Sequence, residues 1–171
     1  GFNVPSLSTA DNKREVYTLE LIAALLDGGN SARQTTDLEL KQELVTGAGV
    51  GYSAVRRGDS LFKCSALPNV QKGKTIEQVE KGIWQLLDQL KTTKPSDEEL
   101  EIVRAQLIAS LVYSRDSISS QAMTIGMLEA LDLPWQLADT ELDELNAVTP
   151  EDIQNVAKKY FTRDRLTTAY V

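Results

Sequence analysis

The chain has 171 residues, 42% of them hydrophobic and 25% charged, which is enough for one domain with a real core. Its 18 basic and 25 acidic side chains leave a net charge of −7, which argues against non-specific nucleic-acid binding, and no apolar run approaches the ~20 residues of a membrane span. There is no histidine, so a Ser-His-Asp triad, a Cys-His pair and every histidine-based zinc motif are excluded within these residues, and the single cysteine, Cys64, excludes an internal disulfide.

In chain order, Gly1 to Leu7 reads as the end of a strand stopped near Pro5. A start at Gly1 with no methionine or polar lead-in reads as a piece cut from a longer chain, with residues 1–171 as a single domain. Asp11 is the expected N-cap of a helix reaching Leu26, whose apolar positions Val16, Leu19, Ile22, Ala23, Leu25 and Leu26 recur every three or four residues. Asp27-Gly28-Gly29-Asn30 ends it with residues tolerant of left-handed backbone. A second, more polar helix is expected from Ser31 to Leu44, with Leu38, Leu40 and Leu44 as its apolar points.

The stretch from Val45 to Pro68 predicts a β-hairpin at the centre of a sheet that the helices cover. Its first run carries Gly47, Gly49 and Gly51 and continues through Tyr52 to Val55, turning at Arg56-Arg57-Gly58-Asp59. Its second alternates Leu61, Lys63, Ser65 and Leu67 with Phe62, Cys64 and Ala66, and neither side is strongly polar, so burial on both faces is expected. Thr75 then caps a helix with Ile76, Val79, Ile83, Leu86, Leu87 and Leu90 on one face. Lys94-Pro95 interrupts it, and Ser96-x-x-Glu99 opens a longer helix as a capping box, with Leu100, Val103, Leu107, Ile108 and Leu111 as its buried stripe. Ile118 to Leu131 continues as another helix, and Trp135 to Leu145 as a short acidic one on the surface. Thr149-Pro150-Glu151-Asp152 starts a last helix, with Ile153, Val156, Ala157 and Tyr160 inward, before a closing strand from Leu166 to Val171. Separate strands with grouped helices define an α+β fold.

Few constellations carry chemistry. The glycines at 47, 49 and 51 run into a strand rather than open a helix, so a phosphate loop gives way to close backbone contact. Ser60-x-x-Lys63 has the spacing of a Ser-Lys nucleophile on a helix, but on a strand the two point to opposite faces. The acidic groups at Asp97-Glu98-Glu99-Glu101 and at Asp139, Glu141, Asp143 and Glu144 lack a calcium loop's glycine and spacing and read as solvated helix faces. Cys64 reads as a buried, inert thiol, and Trp84 and Trp135 as packing residues. Tyr52, at the end of a glycine-lined strand, reads either as a residue reaching into a cleft or as a satisfied core tyrosine.

Val4-Pro5-Ser6, the LLDGGNSAR segment at Leu25–Arg33, the GVGYSA segment at Gly49–Ala54, the SDEELEIVRAQL helix and VTPEDIQNVAKKYF together resemble the insulinase/pitrilysin family of zinc peptidases. The likeness runs from Val4 to Val171 and fits the second domain of one family half, similar to processing peptidases. It implies a LuxS/processing-peptidase-like metallohydrolase domain, a mostly antiparallel sheet with helices packed on one face. The family's H-x-x-E-H zinc motif belongs to the preceding domain. No cofactor or metal site is therefore expected in these residues, and zinc is expected in the full-length protein or its partner.

The family also places an arginine and a tyrosine seven residues apart in such a domain, where they hold the substrate carbonyl. Tyr52 stands at the tyrosine position and Val45 at the arginine position; Arg33, Arg56 and Arg57 stand elsewhere. Tyr52 is thus the one catalytic candidate, as a substrate or oxyanion contact in the full protein, where each such donor is worth a few kcal/mol. Two functions follow from the resemblance. One is the C-terminal domain of a zinc metalloendopeptidase, forming part of a peptide-holding chamber. The other is a domain of a non-catalytic homologous subunit that dimerises with an active peptidase. The expected partners are a peptide or unfolded polypeptide, the N-terminal domain of the same chain, and a second family half in a homo- or heterodimer, with no nucleic acid and no membrane span. The bacterial periplasm or cytoplasm, or the mitochondrial matrix, is the expected compartment.

Overall fold

Eleven consecutive residues from Val16 to Leu26 carry one charge, at Glu20, and the core is built on the helix they form. The computed structural model describes residues 1–29 and 31–171. Helix α1 spans Lys13–Asp27 and buries Val16, Leu19, Leu21, Ile22, Leu25 and Leu26. Its cap is Asn12 rather than Asp11: Asn12 has extended backbone, and its side chain accepts from the Arg14 N–H. Gly28 ends the helix and Gly29, at φ +120°, turns the chain away; Asn30, assigned to the same stop, lies outside the described residues.

The predicted helix from Ser31 to Leu44 is a shorter π-helix, Gln34–Lys41. The Gln42 N–H donates to Asp37 O five residues back, and the Leu44 N–H reaches Leu38 O. This wider winding puts Leu38 and Leu44 in the core while Leu40 remains 67% exposed.

Strand β2 (Val45–Gly51) pairs antiparallel with β3 (Ser60–Pro68), placing Gly49 opposite Ser65 and Gly51 opposite Lys63. A Cβ on Gly49 would meet Ser65 Oγ at 3.3 Å and Asp27 Oδ2 at 3.5 Å, which is the close approach expected of this glycine run. The strand stops at Gly51, so Tyr52 to Val55 belong to the connection and not to the hairpin. Ala54 is buried there and its carbonyl accepts from the Leu7 N–H, which pulls the chain out of the sheet toward the exit of β1. Strand β1 (Phe2–Val4) pairs with the other side of β3, giving a three-stranded antiparallel sheet in the order β1-β3-β2.

One face of this sheet is covered and the other is bare. Phe62 is fully buried, whereas Leu61 is 50% and Leu67 67% exposed, with Lys63 and Ser65 exposed beside them. The expected burial of β3 on both sides fails because the helices cover only the Phe62 face. A closing strand at Leu166–Val171 is also absent. Leu166 makes a single bridge to Phe2, and Gly1 and Thr167 exchange two backbone hydrogen bonds, but β1 is only three residues long and offers no further ladder.

Helices α2 (Ile76–Thr92), α3 (Asp97–Arg115), α4 (Ile118–Ala130), α5 (Leu137–Asn146) and α6 (Pro150–Tyr160) complete the fold. Thr75 with Gln78 and Thr149 with Asp152 form reciprocal capping boxes. The third box is half made. Ser96 accepts from the Glu99 N–H, but the Glu99 carboxylate instead receives two bonds from Arg33, at 2.8 and 2.7 Å. Along α3 only Leu100 of the predicted stripe is fully buried. Arg104 is buried too, and its guanidinium donates to the Leu145 and Val148 carbonyls, fastening α3 to the end of α5. Trp84 packs edge-on against Phe2, while Trp135 is 44% exposed and packs less than expected.

Thr149→Ala removes the hydroxyl that accepts from the Asp152 N–H, leaving the backbone half of the α6 box, and is expected to cost about 1 kcal/mol, read as a lower denaturant midpoint with an unchanged m-value.

Candidate functional site

The end of β2 delivers Tyr52 into a junction between two clefts. One, of about 320 Å³, runs over the bare side of the hairpin past Ser53, Arg56, Asp59, Leu61 and Lys63. The other, also of about 320 Å³, lies between α1, α3, α5 and the end of β2, and is walled by Ala23, Leu107 and Leu111 with Glu20 and Glu141. The Tyr52 ring sits 6.3 Å from that of Phe62, and its hydroxyl donates to the Pro5 carbonyl at 2.7 Å. Burial, and then the nearby Glu20 and Tyr160, push its pKa up, so the hydroxyl stays protonated and acts as a donor. Val45, at the position seven residues earlier, is 2% exposed and belongs to the core.

Glu20 is the residue that reading the sequence missed. It is the lone charge in the apolar run of α1, half-buried on the wall of this cleft. Burial, and then the facing Glu141, push its pKa up to about 8. Glu141 is raised as well, by burial, with Arg115 opposing the shift. Tyr17, raised to about 12 by burial and then by Glu141, Glu20 and Glu144, senses the same negative corner. Asp27 also lines this cleft, where its Oδ2 accepts from the Val50 N–H at 2.9 Å. The acidic group on α5 is therefore not uniformly a solvated face, because Glu141 turns inward.

The other candidates resolve simply. Ser60 is buried and Lys63 exposed on opposite faces of β3, so they form no nucleophile pair. Cys64 is half-buried, and burial raises its thiol to about 11, leaving it unreactive near neutral pH. Among the described residues no three His, Cys, Asp or Glu side chains are grouped to hold a metal ion, and with no histidine in the chain the donor set does not fit zinc. Among the described residues no helix is long and apolar enough to cross a membrane.

An antiparallel three-stranded sheet covered by helices on one face defines an α+β domain. A family profile described as the peptidase M16 inactive domain matches residues 1–107, and the chain belongs to that family. The insulinase-type resemblance drawn from the sequence therefore holds. The uncharacterized zinc protease YmxG of Bacillus subtilis is 28% identical over 152 residues, covering 87% of this chain and 36% of YmxG. The chain thus spans about a third of the length of the curated relative it matches. Among solved structures, the inactive peptidase domain of a Bordetella parapertussis protein superposes with a TM-score of 0.84 at 18% identity, covering 99% of this chain and 88% of that one. A protease from Helicobacter pylori gives 0.82 at 22% identity, over 96% of this chain and 38% of the other. At these identities both likenesses concern the fold.

Glu20 holds its proton in the folded state to about pH 8, whereas an unfolded chain releases it near 4.5. The folded state therefore binds the extra proton between those values, and stability falls as pH rises through that window. Glu20→Gln is expected to raise the melting temperature at pH 8 and to flatten the decline between pH 5 and 8. An unchanged pH profile by thermal unfolding would place the Glu20 carboxyl in water.

Proposed function

We propose that this chain is the domain of a zinc metalloendopeptidase that walls a peptide-holding chamber, with zinc and the general base supplied by an N-terminal domain. The observation carrying this reading is the bare face of the sheet. A domain that ended at its own surface would place polar side chains opposite its helices, yet β3 presents Leu61 and Leu67 there, 50% and 67% exposed. A surface of apolar side chains with Lys63 and Ser65 between them suits an extended polypeptide of varied sequence. Membership of the peptidase M16 inactive-domain family supports the same reading.

Tyr52 is proposed as the substrate contact. It lies where the bare face meets the two clefts, and its O–H is an uncharged donor of the kind that stabilises a developing oxyanion. In the structure that O–H is engaged by Pro5, so the substrate contact requires the first segment of the chain to yield it.

A second reading, a non-catalytic subunit that dimerises with an active peptidase, is favoured by Val45. The family's arginine position is here filled by an apolar side chain buried in the core.

Zinc analysis and chelator-sensitive peptide cleavage by the full-length protein test the first reading. About one zinc per chain with cleavage supports it; neither, in a protein that activates a zinc-binding partner, supports the second. In the active assembly, Tyr52→Phe should lower turnover well beyond the effect of one lost hydrogen bond on stability, which is about 1 kcal/mol. Unchanged kcat with a lower Tm makes Tyr52 a fastener of Pro5 and nothing more.

A further inference from the structure

We propose that residues 52–59, the connection between β2 and β3, form a lid latched by the first segment of the chain, and that opening the lid frees the Tyr52 hydroxyl for a polypeptide on the bare face of the sheet. The use assigned to the opening rests on the reading of Tyr52 as a substrate contact. Among the described residues, every hydrogen bond tying this connection to the rest of the chain comes from residues 3–7. The Asn3 amide donates to Asp59 Oδ2 at 3.1 Å, and the Tyr52 hydroxyl donates to the Pro5 carbonyl at 2.7 Å. The Ser6 hydroxyl donates to the Arg56 carbonyl at 3.1 Å, and the Leu7 N–H to the Ala54 carbonyl at 2.8 Å.

The two sides of this latch are unequally fixed. Pro5, Ser6 and Leu7 are buried, and the Ser6 carbonyl accepts from the Thr9 and Ala10 N–H groups while its hydroxyl accepts from the Ser8 N–H. The strap is therefore a folded turn in its own right. The connection it holds has, among the described residues, one internal hydrogen bond, from the Ser53 hydroxyl to the Val55 carbonyl at 3.5 Å, and its residues 56–59 are exposed. Ala54 is its one buried side chain, so opening withdraws a single methyl group from the core. The strap stays and the lid moves. The chemistry gives the movement a purpose, because a phenol carries one proton. While Tyr52 gives it to Pro5, its oxygen can only accept, and it has nothing to donate to a developing oxyanion. Lifting residues 52–59 breaks that bond and moves Arg56 and Asp59 off the wall of the hairpin cleft.

The test is amide hydrogen exchange of the full-length protein, resolved to single residues. The Leu7 N–H is covered by the lid, through Ala54, whereas the Ala10 N–H is covered by Ser6 within the strap. Lid opening makes Leu7 exchange faster than Ala10, at a rate nearly independent of low denaturant because little surface is exposed. Tyr52→Phe should quicken Leu7 exchange about fivefold, the factor that one net hydrogen bond is worth, and leave Ala10 unchanged. Asn3→Ala, at an exposed position, should act in the same direction without touching the core. Leu7 and Ala10 exchanging together, or Leu7 exchanging only by global unfolding, overturns the lid. In the active assembly, Asn3→Ala should raise kcat/KM by the factor by which it quickens Leu7 exchange, a gain that a merely structural role would not produce. Faster exchange with no gain overturns the role assigned to the opening. The exchange needs no cleavage, so the lid stands or falls separately from the peptidase reading.

Discussion

The rings of Phe62 and Phe161 meet with centroids 4.8 Å apart, and Phe2 closes against Phe161 at 5.3 Å. This knot holds together segments 159 residues apart in the chain: the first strand, the central strand and the end of the last helix. Trp84 on α2 packs edge-on against Phe2, and Tyr52 leans on Phe62. Aromatic rings bury large areas and prefer tilted contacts, so each element is fixed in angle as well as position. Both clefts follow from this arrangement. Tyr52 is held at their junction by Phe62 from one side and by its bond to Pro5 from the other.

The sheet has only three strands, and with helices on one side its apolar content is divided between a true core and an open surface. The same division recurs in the helices. α4 buries only Leu128, while Ile118 is 85% and Met123 65% exposed. A chain of this size spends most of its apolar residues on its own interior. The two apolar exposures lie on different elements, the hairpin and α4, and only the hairpin's lines a cleft with Tyr52, through Leu61.

Much of this was legible in the residues. α1, α2 and α6 announce themselves by apolar spacing and by caps with local chemistry, and Thr75 and Thr149 cap as expected. Where the reading failed, a distant partner had overridden a local signal. Glu99 leaves its capping box because Arg33, 66 residues away, offers two charge-assisted bonds. The segment after Tyr52 leaves the strand because Leu7 captures the Ala54 carbonyl. The π-helix was hidden because two leucines six residues apart fit no α-helical face. Glu20 was missed for a subtler reason: one glutamate in an apolar run looks like a solvated edge of the helix until α5 is seen to lie across it. Tyr52 was found through resemblance, while the partner of its hydroxyl required the fold.

Strand β2 has β3 on one side only, which leaves its outer backbone groups as a template for any other extended chain. Asp27, at the last turn of α1, reaches across and accepts the outward N–H of Val50. A foreign strand seeking to extend the sheet must first displace a carboxylate, and then lie beside a negative charge. One acidic side chain at the end of a helix thus guards the sheet against templating aggregates, while leaving the broad face of the hairpin free to meet its partners.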